Sequence, residues 1–176
     1  PILFEEKGIQ VPKTWDEFLE AAKALTEDLD GDGKMDRYGC VFAGTRNDSA
    51  ESRFQTFALT YGCDFVTENG DGTFTSGFGT DAYRNAMTSF IDLAANKGVT
   101  PPGLIETGYS EAYTMIAADQ ACMFFSASNV LGGIYNANPE MRGKMGSFRM
   151  PTAEGVDPVT SFSSVGMTVS STCKNP

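Results

Sequence analysis

The chain has 176 residues, of which 41% are hydrophobic and 20% charged, so it can bury a core of its own. Its length suits one domain, or one lobe of a larger protein. A net charge of −10 disfavours nucleic acid and anionic membrane surfaces as partners. The complete lack of histidine removes the commonest general base and the commonest metal ligand.

We expect neither a signal peptide nor a membrane span in this sequence. No run of about 18 apolar residues predicts a membrane span. The segment that starts at Pro1 lacks the basic region that opens a signal peptide. Because the chain also stops abruptly at Pro176, just after an apolar run, we interpret it as a fragment of a longer protein.

The four cysteines are spread singly, and no two are separated by only two residues. This spacing disfavours zinc and thioredoxin-type sites, and it does not choose among the three possible disulfide pairings. Cys40 and Cys122 lie in apolar runs, where a buried thiol is favoured over a disulfide.

The first well-defined element is a helix over residues 15–26. Thr14 and Glu17 have the spacing of a capping box, and apolar residues follow at helical intervals. Trp15, in the first turn, is interpreted as a packing anchor rather than as a platform for a ligand.

An acidic loop follows that helix and places oxygen-bearing residues at alternate positions around Gly33. Gly39 stands at the twelfth position, where an EF-hand has a bidentate glutamate, so a solvated glycine-rich turn is the competing interpretation. The loop precedes a strand at its amino end, so we interpret it as a calcium-stabilised brace and not as the centre of the ligand site. The predicted ligands are Asp28, Asp30, Asp32, the carbonyl of Lys34, and Asp36.

Short apolar runs at 38–44 and 121–126 predict buried strands. Helical patterns at 51–60, 80–96, 111–118 and 129–136 lie between and after them, and residues 64–76 predict a hairpin. Two further short strands are predicted at 146–151 and 166–170. Helices that alternate with strands indicate a single α/β domain over residues 1–176, with a short mixed sheet flanked by helices.

In α/β sheets, ligands bind just outside the carboxyl ends of the strands. Aromatic residues and small polar residues follow the predicted strands here, which is the composition of a site for a polar ligand. The competing interpretation is that the phenylalanines belong to the core. The predicted ligand-binding residues are Gly44, Thr45, Arg46, Phe125, Ser126, Ser128, Asn129, Phe162, Ser163 and Ser164.

Motifs for catalysis or for an organic cofactor are missing from the sequence. There is no glycine-rich phosphate loop, no nucleophile elbow and no HExxH pattern. We therefore expect a binding protein that is not an enzyme and that has no organic cofactor.

Several stretches together resemble the family 1 extracellular solute-binding proteins, the sugar-binding components of ABC importers. They are PILFEEKGIQVPKTWDEFLEAAKALT at 1–26, DGDGKMDRYG at 30–39, NKGVTPP at 96–102, DQACMF at 119–124 and NPEMRGKMG at 138–146. The sequence departs from the family where residues 126–129 replace the usual Gly-x-Trp, and where Ser163 and Ser164 replace a Gly-Gly pair.

The resemblance implies a type II periplasmic-binding-protein fold, of which this chain is most of the second lobe, without the first lobe and the final helices. It implies a monomer, periplasmic or lipid-anchored, that closes on a mono- or oligosaccharide by hinge motion and delivers it to ABC permease subunits. Some members carry structural Ca²⁺ on the acidic loop. The alternative is a calcium-stabilised structural or adhesion module with no transport role.

Overall fold

The computed structural model describes residues 2–162 and 166–174 of the chain. Within these residues no helix is long and apolar enough to cross a membrane. The helices are α1 (Ile2–Glu6), α2 (Trp15–Ala24), α3 (Asp48–Leu59), α4 (Asp81–Ile91), α5 (Tyr109–Ala117) and α6 (Val130–Ala137). The strands are β1 (Tyr38–Val41), β2 (Val66–Glu68), β3 (Phe74–Ser76) and β4 (Ala121–Phe124).

Strands β1 and β4 pair in parallel, with Tyr38 opposite Ala121 and Val41 opposite Phe124. Strands β2 and β3 form a separate antiparallel hairpin whose residues are exposed. The α/β class is thus confirmed, but the parallel and antiparallel pairs lie in two different sheets. A parallel pair needs a long crossover, and here the chain between β1 and β4 supplies α3, α4, α5 and the hairpin.

Helix α2 is tied directly to β1. Its capping box is confirmed, since the Thr14 side chain accepts from the Glu17 N–H and the Glu17 carboxylate accepts from the Thr14 N–H. A Cβ at Gly39 would lie 2.0 Å from the carbonyl oxygen of Ala22. Only glycine allows this close contact between the helix and the strand.

An aromatic cluster fills the space between α2, α3 and the parallel strands. Trp15 lies 4.3 Å from Phe57 and 5.7 Å from Phe125, measured between ring centroids. Phe42 stacks on Phe125 at 5.2 Å. Trp15 is 9% exposed, and its indole N–H donates to Thr60 Oγ1 at 2.9 Å, so its role as a packing anchor is confirmed.

The strands predicted at 146–151 and 166–170 are wrong. The first segment is irregular, and an isolated bridge between Thr14 and Thr152 follows it. The second is also irregular, and Met167 is fully exposed there. A strand is stabilised by a hydrogen-bonded neighbour, and these segments have none among the described residues.

The thiols of Cys40 and Cys63 are buried, and that of Cys122 is half-buried. The Cys122 thiol lies 3.7 Å from the carbonyl oxygen of Leu25, to which it donates. Burial raises the pKa of Cys122 to about 11, so it is a protonated thiol at neutral pH. The prediction of a buried thiol at Cys40 is confirmed.

Replacing Thr60 with valine should destabilise the fold by about 1–3 kcal/mol, because the buried indole N–H of Trp15 would lose its acceptor. Urea unfolding of the protein measures this. Thr114→Val is the control, because the exposed Thr114 hydroxyl donates to the Ser110 carbonyl in its own helix and to no other described residue. Equal stability of both variants would refute the structural role of this hydrogen bond.

Candidate ligand-binding site

Parallel pairing brings the carboxyl ends of β1 and β4 to one edge of the sheet. The chain leaves β1 through residues 42–47 into α3, and leaves β4 through residues 125–129 into α6. A third segment joins this edge because the carbonyl of Thr107 accepts from Gly44 N at 2.9 Å and from Thr45 N at 3.2 Å. The start of α5 therefore lies beside the ends of both strands.

Side chains from these segments lie at this edge, and we call them the strand-end cluster: Thr45, Arg53, Tyr109, Ser126 and Asn129. Arg53 lies in the second turn of α3, and its Nη2 donates to Ser126 Oγ at 3.1 Å. Its guanidinium carbon lies 5.1 Å from the centroid of the Tyr109 ring. The Tyr109 hydroxyl donates to Asn129 Oδ1 at 3.1 Å. The cluster thus joins α3, α5 and the exit from β4.

Two polar atoms of the strand-end cluster are buried without a partner. Among the described residues, Thr45 Oγ1 and Arg53 Nε have no hydrogen bond. Leaving such groups unsatisfied costs about 1–3 kcal/mol each. Both atoms lack a partner in the described part of the chain, so an oxygen atom of a ligand that reached them would satisfy them.

The aromatic part of the predicted site needs correction. Phe125 is only 7% exposed, and its ring packs against Phe18 and Phe42 in the core. It therefore cannot offer a free face to a ligand. Phe162 is 92% exposed, next to Ser161, whose hydroxyl lies 2.6 Å from Thr56 Oγ1 on α3. Ser163 and Ser164 lie outside the described residues.

The other predicted ligand residues also lie at this edge of the sheet, and their contacts differ from one residue to another. Ser126 and Asn129 belong to the strand-end cluster, while Arg46 and Ser128 are exposed. Ser128 does not cap α6. The helix starts at Val130, and its N-cap Asn129 makes no side-chain cap bond. The Asn129 side chain instead accepts the hydrogen bond from Tyr109.

Arg53 and Tyr109 were not predicted from the sequence. Arg53 has a detectable signal, because it lies in the helix that directly follows a strand whose end faces the site. The sequence gives less indication of Tyr109, because nothing in its local sequence shows that Thr107 bonds to the loop after β1.

The acidic loop lies at the opposite, amino end of β1. Carboxylate oxygens of Asp28, Asp30 and Asp36 lie within 4.8 Å of one another. Hydrogen bonds from backbone N–H groups, chiefly that of Gly33, lower the pKa of Asp28 and favour its charged form. Three carboxylates on one exposed turn are the donor set that Ca²⁺ prefers.

One of the predicted carboxylate ligands, Asp32, does not join that group. Asp32 Oδ1 accepts from the backbone N–H of Lys34 at 2.8 Å, which closes a local turn. The ammonium of Lys34 lies 3.8 Å from the other oxygen of Asp32. The structure therefore brings three of the four predicted carboxylates together, and Asp32 is not among them.

The α/β fold, with its polar edge at the ends of parallel strands, is that of known binding proteins. A solute-binding protein from Thermotoga lettingae, bound with alpha-D-tagatose, superposes with a TM-score of 0.75 at 24% identity over 89% of this chain and 38% of that one. T. maritima MalE3, bound to maltose, gives 0.73 at 22% identity over 91% and 39% of the two chains. At this level of identity the likeness shows the fold, which is that of the type II periplasmic sugar-binding proteins.

Residues 1–176 match the family of bacterial extracellular solute-binding proteins, and the chain belongs to that family. Its members are transport components and not enzymes. The polygalacturonan/rhamnogalacturonan-binding protein YtcQ of Bacillus subtilis (strain 168) is 37% identical over 90 residues, which are 51% of this chain and 18% of YtcQ. The chain thus spans well under half the length of these relatives.

Replacing Thr45 with valine should leave the stability of the ligand-free protein unchanged, or raise it by up to about 1 kcal/mol, because no hydrogen bond is lost. Thr26→Val is the matched control, since the half-buried Thr26 hydroxyl donates to Ala22 O and accepts from Gly39 N. Urea unfolding should show a loss of stability for Thr26→Val alone. A comparable loss for Thr45→Val would mean that its hydroxyl has a structural partner.

Proposed function

We propose that this chain is most of the second lobe of a carbohydrate-binding component of an ABC importer. The observation that carries the proposal is the strand-end cluster, where buried Thr45 Oγ1 and Arg53 Nε lie at the carboxyl edge of a parallel strand pair without partners. Membership in the solute-binding family and the sugar-binding names of its relatives support the same function.

The chemistry of the edge suits a polyhydroxylated ligand. Thr45, Ser126 and Asn129 offer hydroxyl and amide groups that both donate and accept, as sugar hydroxyls do. The half-buried ring of Tyr109 is the aromatic group of the cluster, in place of the buried Phe125. Because a ligand held between two lobes favours the closed state, binding is coupled to hinge closure.

The transport role defines the partners and the location. We propose that the closed, loaded protein is a monomer that docks on the membrane permease subunits of the importer. It acts outside the cytoplasm, either free in the periplasm or lipid-anchored on the outer face of the membrane.

Calorimetry of the full-length protein with a panel of neutral and acidic mono- and oligosaccharides tests this function. At least one sugar should bind, and Tyr109→Ala should weaken that binding by about 2- to 10-fold, because the contact of one aromatic ring is worth about 0.5–1.5 kcal/mol beyond the area that it buries. Silence across the whole panel would refute the proposal. Calcium binding without sugar binding would instead support a structural or adhesion module.

We further propose that Asp28, Asp30 and Asp36 hold a structural Ca²⁺. The loop joins the end of α2 to the start of β1, and Leu29 N donates to Asp36 Oδ2 at 2.7 Å across it. A cation bound there would offset the mutual repulsion of the carboxylates and brace the joint between helix and strand. It would take no part in holding the sugar, which binds at the other end of β1.

Asp30→Asn should weaken Ca²⁺ binding by about tenfold or more, because it removes one charged ligand of the group. Asp32→Asn is the matched control and should have little effect, since Asp32 lies outside the group. Thermal unfolding in Ca²⁺ and in a chelator gives the readout, with sugar affinity unchanged in both variants. Equal effects of the two substitutions would contradict this assignment.

A further inference from the structure

We propose that Arg53 binds a carboxylate of the ligand, so that the site selects sugars that carry uronic acid residues. This inference rests on the proposed function, because it assigns the class of carbohydrate to the same edge. The positive charge of the Arg53 guanidinium has no anionic partner in the described part of the chain.

The hydrogen bonds of Arg53 use only part of its donors. Nη1 donates to Ser52 Oγ at 2.8 Å and Nη2 donates to Ser126 Oγ at 3.1 Å, while buried Nε has no partner. A guanidinium carries five N–H donors in a planar fork. Both of its partners are neutral hydroxyls, so a carboxylate that approached the fork would gain charge-assisted hydrogen bonds.

Arg53 differs from Arg37, the other half-buried arginine among the described residues. Arg37 is held between Glu27 and Asp119. Half-buried Arg53 makes no such ion pair among the described residues. A partly buried cation without a counter-charge is stabilised when an anion from outside the chain forms an ion pair with it.

The guanidinium is also held in place before any ligand arrives. The Tyr109 ring lies beneath it, with 5.1 Å between the guanidinium carbon and the ring centroid. The Tyr109 hydroxyl is in turn fixed by Asn129. A positioned fork loses little conformational freedom on binding, so the contact with a carboxylate distinguishes strongly between acidic and neutral sugars.

The test compares ligands that differ only in charge. The full-length protein is titrated with trisaccharides of galacturonate, glucuronate and mannuronate, each as the free acid and as the methyl ester. At least one acid should bind about 10- to 100-fold more tightly than its ester, because a hydrogen bond to a charged group is stronger than one to a neutral group. The preference should shrink as salt is added.

Arg53→Gln should remove this preference, and Arg53→Lys should keep part of it, because lysine retains the charge without the planar fork. Arg142→Gln is the matched control: Arg142 is exposed and stacks on the Tyr135 ring at 4.9 Å. It should leave the preference intact. Unfolding of each ligand-free variant checks that it is folded.

Two outcomes would overturn the inference while leaving the proposed function in place. One is a protein that binds esters or neutral sugars as tightly as acids. The other is an acid preference that survives in folded Arg53→Gln. A protein that binds no sugar in either panel refutes the proposed function, and the inference fails with it.

Discussion

The parallel pairing of β1 with β4 is the interaction on which the rest of this structure depends. It aligns two strands that are separated by about 80 positions in the sequence, and it directs both of their carboxyl ends to one edge. The aromatic cluster around Trp15 and Phe125 packs between this pair, α2 and α3. Without that pairing, the loops that carry Thr45 and Ser126 would not lie at the same edge of the sheet.

Strand β1 separates two different kinds of chemistry along its length. At its amino end, the acidic loop gathers carboxylates whose neighbours are backbone N–H groups of the same turn. At its carboxyl end, the strand-end cluster gathers hydroxyl, amide and guanidinium groups from three segments. The first arrangement is local and suits a structural cation, while the second needs the tertiary fold and suits a solute.

Two half-buried arginines, Arg37 and Arg53, have different kinds of partner. Arg37 is 12% exposed and lies between two carboxylates, which joins the acidic-loop region to the turn before β4. Among the described residues, Arg53 has only hydroxyl and aromatic partners. The chain therefore compensates one buried charge internally and leaves the other at the edge where solutes are bound in this fold.

The sequence by itself determined the features that depend on near neighbours. The capping box at Thr14, the helical periods and the turn at Asp28 follow from contacts within a few residues. The apolar run at 38–44 is visible in the sequence itself, so the α/β class could be predicted. Tertiary structure decided what depends on distant contacts. It buried Phe125, left residues 166–170 without a neighbouring strand in the described part of the chain, and brought Arg53 onto Tyr109. The sequence around a phenylalanine that follows a strand does not show whether its ring faces the core or a ligand. The orientation of the ring depends on packing partners that are far away in the chain.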